Sequence, residues 1–360
     1  MIAPLDAEDL RARVNAALET FLARQAGVLT AVSPDCGELV RSVQDLTRGG
    51  KRLRPAFCYW GWRGAGGPAD GPIVEAAAAL ELFQAAALIH DDVMDDSDTR
   101  RGMPAVHRRF AALHRASGWV GDRERFGLAG AVLAGDLCLT WSDELLTGSG
   151  LEPAALARGR VWFDRMRTEV MGGQYLDMLE QAAAGRPTGG GTAIERARRV
   201  IHYKSAKYSV EHPLLMGGAL AGADERTLAA YSAFGLPLGE AFQLRDDVLG
   251  VFGDPSDTGK PAGDDLREGK RTVLVAAALE AASAPQAALV ERLLGDPKLD
   301  PVGVDALRAV FVETGALRRV EALIEQCVAA ARTALAGVEL TAPAGGMLDG
   351  LVSAATQRAA

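Results

Sequence analysis

The chain turns from apolar to acidic within one stretch, Leu82-Phe83-Gln84-Ala85-Ala86-Ala87-Leu88-Ile89-His90-Asp91-Asp92-Val93-Met94-Asp95-Asp96-Ser97-Asp98-Thr99-Arg100-Arg101-Gly102. Its first half, rich in alanine and leucine, predicts a buried helix. Asp91 and Asp95 would then stand one turn apart on one face, where two carboxylates repel each other unless a cation lies between them. Hard oxygen ligands favour Mg²⁺, which usually takes one or two protein carboxylates and completes its shell with water and substrate phosphates. The stretch therefore predicts an apolar helix that ends at a magnesium and phosphate site.

Two other interpretations of this acidic group were weighed. A charged run often forms a solvated helix end, but such an end is polar on both sides, whereas this one follows an apolar helix and runs into two arginines. A calcium-binding loop needs Gly at its sixth position and Glu at its twelfth. Counted from Asp96, the sixth residue is Arg101, so the calcium interpretation fails.

A second acidic pair strengthens the magnesium interpretation. Asp246 and Asp247 close another apolar helix in the stretch Phe242-Gln243-Leu244-Arg245-Asp246-Asp247-Val248-Leu249-Gly250, and residues 252–272 after it are dense in glycine, aspartate and lysine. Two helices that end in carboxylates, with cationic residues close by, would form a site for a polyanion bridged by metal ions.

At these residues the chain resembles the trans-isoprenyl diphosphate synthases of the polyprenyl synthetase family, the head-to-tail prenyl-chain elongating enzymes. Three motifs occur in the family's order: Gly49-Gly50-Lys51-Arg52-Leu53-Arg54-Pro55, then Asp91-Asp92-Val93-Met94-Asp95 with Arg100 and Arg101, then Asp246-Asp247 with Lys260. The resemblance runs from about residue 49 to residue 270. It implies an all-α fold, an antiparallel helical bundle around a central cavity of the isoprenoid synthase type, in a single domain over residues 1–360. It also implies a homodimer.

The resemblance assigns roles to the motif residues. The implied catalytic residues are Asp91, Asp95, Asp246, Lys204 and Lys260. The implied Mg²⁺ ligands are Asp91, Asp92, Asp95, Asp246 and Asp247, with Asp92 and Asp247 acting through water or by orientation. The residues expected to bind the allylic diphosphate are Arg100, Lys204, Ser205, Gln243, Lys260 and Lys270. Those expected to bind isopentenyl diphosphate, without metal, are Lys51, Arg54, Gln84 and Arg101. Taken alone, Lys51 and Arg54 would be typical of a surface helix start.

The sequence offers no obvious general base for the final proton loss. None of the five histidines (His90, His107, His114, His202 and His212) pairs obviously with a carboxylate partner as a catalytic histidine would. In the family the released pyrophosphate is thought to take this proton. Ser205, Gln243 and Phe242 would then line the neighbourhood of the carbocation, where polar oxygens and an aromatic face stabilise positive charge.

Two positions depart from the family pattern. The second motif usually carries a third aspartate where this chain has Gly250, so one direct or water-mediated ligand is missing, and Asp264 in the following loop is the candidate to supply an outer-shell oxygen. The family's Lys-Thr pair is Lys204-Ser205 here. Since serine keeps the hydroxyl group, we expect little change from the second departure.

Helix geometry gives an expectation for product length. Ala86 and Ala87 precede Asp91 by about one turn and are small, which would leave a channel open along this helix. Phe83 lies about one further turn (~5.4 Å) back and would close the channel there. This arrangement predicts geranylgeranyl diphosphate as the main product, with the farnesyl or 25-carbon product as alternatives. The other interpretation of Phe83 is an ordinary core residue.

Composition limits the other possibilities. The net charge of −8 argues against nucleic acid as a partner. Cys36, Cys58, Cys138 and Cys327 have no metal-ligand spacing and predict reduced core thiols. We saw no membrane span and no basic-then-apolar leader at the start of the chain, and we therefore expect a soluble cytoplasmic protein.

Two other function classes stay open at this point. A class I terpene cyclase would share the first aspartate motif and the helical fold, but it has no use for a second basic diphosphate pocket. A non-catalytic partner subunit of a heteromeric synthase would tend to lose an aspartate motif, and Gly250 is the one residue that hints at this.

Overall fold

The computed structural model describes residues 4–183, 190–253 and 263–356, and most of them are helical. In chain order the α-helices are α1 (Leu10–Val32), α2 (Gly37–Thr47), α3 (Leu53–Gly64), α4 (Ile73–Met94), α5 (Val106–Ala116), α6 (Arg123–Thr147), α7 (Pro153–Ala183), α8 (Ala193–Val200), α9 (His212–Ala221), α10 (Glu225–Phe252), α11 (Asp264–Arg267), α12 (Val273–Ala281), α13 (Ala284–Leu293), α14 (Pro301–Glu313), α15 (Ala316–Ala334) and α16 (Ala344–Thr356). A π-helix spans Ile201–Glu211, and 3₁₀-helices span Ala7–Asp9 and Pro34–Cys36. The expected all-α fold is confirmed.

Helix α4 carries the first acidic motif and forms much of the core. Its residues from Ala76 to Ala79 are fully buried, and it packs against α1, α3 and α6. By length and composition α4 is apolar enough to cross a membrane, a point that our sequence expectation overlooked. However, 72% of its most apolar window is buried inside the protein, which is the burial of a core helix.

Helix α10 joins two groups of buried apolar side chains. Its first half contributes Phe234 and Leu238 to a large core with α3, α4, α7 and α9. Its second half contributes Leu244 and Val248 to a smaller core with α12, α14 and α15. The single domain expected over residues 1–360 stays a prediction, and this shared helix gives it a physical basis.

A short hairpin follows α4 and is the exception to the expected lack of strands. Strands β1 (Thr99–Arg100) and β2 (Met103–Pro104) pair antiparallel. The turn between them has φ of +54° at Arg101 and +73° at Gly102, the backbone region that two-residue hairpin turns favour. The hairpin carries Arg100 back toward the end of α4, where its Nε donates to Asp92 Oδ1 at 2.8 Å.

The π-helix fits between α7 and α10 because both helices present a glycine to it. A β-carbon on Gly173 of α7 would lie 2.4 Å from the backbone nitrogen of Lys204, and one on Gly239 of α10 would lie 2.5 Å from the α-carbon of Ala206. Pro213, at the start of α9, lacks an N–H group for the preceding turn. A π-helical segment at this place is typical of functional sites.

Candidate active site

The ends of α4 and α10 and the π-helix face one cavity of about 1060 Å³. Its wall combines acidic, basic and apolar parts. The sequence-predicted residues on this wall are Lys51, Arg54, Phe83, Gln84, Ala87, Asp91, Arg100, Lys204, Ser205, Gln243, Asp246, Asp247 and Lys270. Lys260 lies outside the described residues. The two acidic motifs, far apart in the chain, therefore open into the same space.

Asp91 is surrounded by groups that favour its ionised form. Gln174 Nε2 donates to its Oδ1 at 3.0 Å, Lys204 Nζ lies 3.4 Å from the same oxygen, and an Arg100 nitrogen lies 3.5 Å from Oδ2. Burial works against ionisation, but Lys204, Lys270 and Arg100 together hold the pKa of Asp91 below its ordinary value. Asp91 is thus a carboxylate ready to accept a cation.

Asp92 and Asp95 belong to the same motif but lie behind the cavity wall. Asp92 is buried and forms an ion pair with Arg100. The Asp95 side chain is 4% exposed, and its Oδ2 accepts no hydrogen bond within the described part of the chain. Burial and the charge of Asp91 raise the pKa of Asp95 to about 6.

Lys270 links the first motif to the segment that follows the second. Its Nζ lies 3.6 Å from Asp95 Oδ2, 3.3 Å from Asp265 Oδ1 and 2.5 Å from Glu268 Oε2. Burial works against its charge, but these carboxylates and Asp91 keep the pKa of Lys270 well above its ordinary value. One buried ammonium ion therefore balances acidic groups from both sides of the site.

The second motif contains a buried carboxyl group, Asp247, whose environment disfavours its ionised form. Asp247 is buried and accepts a hydrogen bond from Gln243 Nε2 at 2.8 Å. Burial, with smaller effects from Asp265 and Asp246, raises the pKa of Asp247 to about 7. A carboxyl group with a raised pKa in an acidic neighbourhood is stabilised in its ionised form when a cation arrives.

These residues fit a divalent cation of the Mg²⁺ type. The available metal ligands are carboxylate oxygens, which are hard ligands. One of them, Asp95 Oδ2, is buried and receives no hydrogen bond from the described residues. Within the described ranges no three acidic, histidine or cysteine side chains converge closely enough to form a closed metal cage. The arrangement therefore suits an open site that is completed by a ligand's own oxygens.

A basic group lies on another part of the wall. Lys51 and Arg54 line the cavity beside Gln84, and Arg54 Nη2 donates to Ser209 Oγ at 2.7 Å. Arg101 does not line the cavity; it donates to the carbonyl oxygen of Leu46 at 2.7 Å. Burial lowers the pKa of Arg101, and Arg52, Arg54 and Arg100 add to this effect despite opposition from Glu81. Such a concentration of guanidinium groups suits an anionic ligand.

The apolar end of the cavity contains only part of the expected length determinant. Phe83 and Ala87 are on the wall, together with Leu139 and Val170, and Phe83 packs edge-on against Tyr208 at 5.6 Å and Phe163 at 6.4 Å. Ala86 is fully buried and is not on this wall. Adjacent residues of a helix point about 100° apart, so the structure places Ala87, not Ala86, beside the channel.

Some polar residues of the site were not assigned roles from sequence. Asp177 of α7 forms an ion pair with Lys204 at 2.6 Å, and Gln174 lies one turn before it on the same face. Tyr208 of the π-helix hydrogen-bonds Gln84, and the Arg54 guanidinium lies 4.2 Å from its ring centre. The sequence contained two signals that could have identified these residues. One is the i, i+3 spacing of two polar residues on α7, and the other is a tyrosine one turn after Lys204-Ser205.

Histidines do pair with carboxylates, contrary to the sequence expectation. His90 Nε2, on the cavity wall, lies 3.6 Å from Asp136 Oδ1, and His107 Nε2 lies 4.0 Å from Asp96 Oδ1. His212 Nε2 lies 2.8 Å from Glu169 Oε2, a contact between residues far apart in the chain. Burial lowers the pKa of His212 although Glu169 opposes this shift. Neither residue lines the cavity, so this pair has no access to a reacting ligand.

The profile of the family described as Polyprenyl synthetase matches residues 37–309. The chain belongs to the polyprenyl synthetase family. Both the family and the prenyltransferase class expected from the motifs are thus confirmed.

Relatives agree with this assignment. The chain is 34% identical over 233 residues to a geranylgeranyl diphosphate synthase of Methanosarcina mazei, an alignment that spans 64% of each chain. It is 30% identical to a geranylfarnesyl diphosphate synthase of Aeropyrum pernix over 82% of this chain and 86% of the relative. A crystal structure of geranylgeranyl pyrophosphate synthase from Corynebacterium glutamicum, complexed with isoprenyl diphosphate and magnesium, superposes with a TM-score of 0.93 at 38% identity, covering 98% of this chain and 100% of that one.

The raised pKa values of Asp95 and Asp247 predict how metal-free stability depends on pH. A carboxyl group whose pKa is higher in the folded state stabilises the fold while it is protonated. This contribution is full below a pH of about 4 and is lost as the pH rises through about 6 for Asp95 and about 7 for Asp247. We expect the melting temperature in EDTA to fall over this range, and Mg²⁺ with inorganic pyrophosphate to stabilise the protein most at its upper end.

Melting curves at each pH, with EDTA or with Mg²⁺ and pyrophosphate, measure this effect. The matched variants Asp95→Asn and Asp247→Asn remove one titrating group each and should flatten the fall, which separates it from the titration of buried histidines. An equally steep fall in wild type and in both variants would contradict the prediction.

Proposed function

We propose that this protein catalyses Mg²⁺-dependent head-to-tail condensation of isopentenyl diphosphate with an allylic diphosphate, giving a short-chain all-trans prenyl diphosphate. The observation that carries the proposal is a single cavity with two acidic motifs, a separate basic group and an apolar extension. These three parts match the needs of a metal-bound diphosphate, a metal-free diphosphate and a growing hydrocarbon tail.

The first step needs charge stabilisation. When the carbon to oxygen bond of the allylic substrate breaks, a diphosphate of high negative charge departs. Asp91 and Asp95 on one side and Asp246 on the other, with Asp92 and Asp247 in support, would hold Mg²⁺, which would supply Lewis-acid stabilisation of this leaving group. Lys204, Lys270 and Arg100 add fixed positive charge.

These cations are engaged with carboxylates in the structure, so ligand binding must exchange partners. Lys204 is paired with Asp177 and Asp91, and Lys270 with Asp95, Asp265 and Glu268. Once the carboxylates held metal ions, the Lys204 and Lys270 ammonium groups would be available to the diphosphate. The same charges then stabilise the transition state in a site from which water is excluded.

The remaining steps use the other wall residues. Isopentenyl diphosphate would bind at the wall residues Lys51, Arg54 and Gln84, with Arg101 adding positive charge from outside the cavity wall, and its double bond would be directed at the allylic cation. Ser205, Gln243 and Phe242 line the space where that cation forms, and Phe242 presents an aromatic ring to it. The departing pyrophosphate remains our proposed acceptor of the final proton, as the family resemblance implies.

Geranylgeranyl diphosphate is the product we propose. Ala87 leaves the wall open one turn before Asp91, and Phe83, backed by Phe163 and Tyr208, stands one turn deeper. Names of relatives support both a 20-carbon and a 25-carbon product, so product length is the property to measure.

The direct test is an elongation assay. Radiolabelled isopentenyl diphosphate is incubated with primers of five, ten and fifteen carbons and Mg²⁺, and the products are sized by chromatography. We expect a 20-carbon diphosphate from each accepted primer and no product in EDTA. Binding of isopentenyl diphosphate without turnover of primers would indicate the partner-subunit alternative, and cyclised hydrocarbon without use of isopentenyl diphosphate would indicate a terpene cyclase.

Replacing Phe83 tests the length determinant. Phe83→Ala should shift the product by one or more isoprene units, because it removes the ring that narrows the channel, at a stability cost of about 3–5 kcal/mol. Phe311→Ala is the matched control, since Phe311 is equally buried but belongs to the smaller core away from the cavity. An unchanged product length in Phe83→Ala would assign Phe83 to the core alone. Ala87→Phe should shorten the product.

We also propose a cytoplasmic homodimer. Exposed apolar side chains on α6 and α7 support the dimer: Leu128, Val132, Leu133, Val161, Met171, Tyr175 and Met178 are all more than a third exposed. Such a concentration on neighbouring helices is typical of an interface. Cell fractionation tests the location.

A charge placed among the exposed apolar side chains of α6 should disrupt the dimer. Leu133 is 55% exposed, and Leu133→Glu should convert the dimer to a monomer in light scattering after size-exclusion chromatography, because a carboxylate is costly to bury. Val302→Glu is the control, since Val302 is 75% exposed on α14. A monomeric wild type would contradict the proposed dimer. A dimer that tolerates Leu133→Glu but not Val302→Glu would place the interface elsewhere.

A further inference from the structure

A glycine stands where the family's second motif usually carries a third aspartate. Gly250 lies on α10, four residues after Asp246 and three after Asp247, so it continues the same helix face. A β-carbon at this position would lie 2.0 Å from Asp265 Oδ2 and 2.8 Å from Asp265 Cγ. The carboxylate of Asp265 thus occupies the space that a side chain at position 250 would use.

The segment that carries Asp265 is anchored to the smaller core. Leu266, the next residue, is 1% exposed, and its carbonyl oxygen accepts a hydrogen bond from the backbone nitrogen of Gly295 at 2.8 Å. Arg267 Nε donates to the carbonyl oxygen of Leu299 at 3.0 Å. Because the burial of Leu266 and these contacts at Leu266 and Arg267 hold α11 in place, the fold sets the position of Asp265 against α10.

Asp265 also faces the first motif. Lys270 Nζ lies 3.3 Å from Asp265 Oδ1 and 3.6 Å from Asp95 Oδ2. That Asp95 oxygen is buried and accepts no hydrogen bond from any residue that the structure describes. The single ammonium ion of Lys270 faces Asp95, Asp265 and Glu268 at once. Because three carboxylates exceed its one positive charge, the space between Asp95 and Asp265 favours a further positively charged ligand.

We propose that Asp265 supplies, directly or through water, the Mg²⁺-binding carboxylate that the second motif lacks at Gly250. The absence of a side chain at Gly250 is what admits Asp265, so the two positions form one arrangement. The inference rests on the proposed function, since magnesium diphosphate is the ligand. The sequence expectation gave this role to Asp264, which also lines the cavity, so the test below compares the two residues.

The test measures how Mg²⁺ promotes binding of inorganic pyrophosphate to the full-length protein by isothermal titration calorimetry. Asp265→Asn should raise the Mg²⁺ concentration for half-maximal pyrophosphate binding about tenfold or more, as loss of a ligand or of its supporting shell usually does. Gly250→Ala should give the same shift from the other side of the contact by displacing the carboxylate. Asp264→Asn, the adjacent residue, should give a clearly smaller shift.

A relocated carboxylate provides the stronger test. The double variant Gly250→Asp with Asp265→Ala moves the acidic group onto α10 and should restore Mg²⁺-dependent binding to within about threefold of wild type. Binding of isopentenyl diphosphate, which needs no metal, reports whether each variant is folded.

Several results would overturn the inference. The inference is wrong if Asp265→Asn leaves the Mg²⁺ dependence unchanged, or if Asp264→Asn gives the larger shift. It is also wrong if Asp265→Asn weakens pyrophosphate binding only at saturating Mg²⁺, because Asp265 would then act by positioning Lys270. If wild type binds no magnesium pyrophosphate, both the inference and the proposed function fail. If wild type binds it and elongates primers, only the inference is at stake.

Discussion

The structure depends on the balance of charge at the ends of two apolar helices. The apolar parts of α4 and α10 are buried in the cores, and the ends of both helices carry aspartates that face one cavity. An uncompensated charge at such depth costs about 3–5 kcal/mol, so each acidic residue needs a cationic neighbour. Arg100, Lys204 and Lys270 meet this need in the absence of metal. The raised pKa values of Asp95 and Asp247 mark where that compensation is incomplete.

This balance connects folding with chemistry. In the proposed mechanism, the ammonium and guanidinium groups that neutralise the aspartates are the same groups that a departing diphosphate requires. The metal-free protein and the active one would then use the same charges in two different pairings. Sharing charges in this way would let the site hold many of them without a closed metal cage.

The sequence was sufficient for the helical fold, the family and the residues of the acidic motifs, because motif order and apolar helices are local properties of the chain. It was insufficient where the outcome depends on packing between distant segments. Ala86 and Ala87 are neighbours in sequence, yet only the rotation of α4 within the bundle decides that Ala87 faces the cavity. The pairing of His212 with Glu169 and the placement of Asp265 against Gly250 likewise depend on tertiary contacts. The hairpin at Arg101 and Gly102 was missed because its strands are two residues long.

The glycines that flank the π-helix have a consequence beyond packing. Gly173 and Gly239 let the backbones of three helices approach within a distance that no larger residue permits, and the segment between them carries Lys204 and Ser205. The segment at the reactive end of the cavity is therefore held in place by close backbone contact at two positions that lack a side chain. A methyl group added at Gly173 or Gly239 would shift the Lys204 ammonium ion without touching any ligand. These two glycines take no part in the chemistry, yet they determine how precisely the reacting groups are placed.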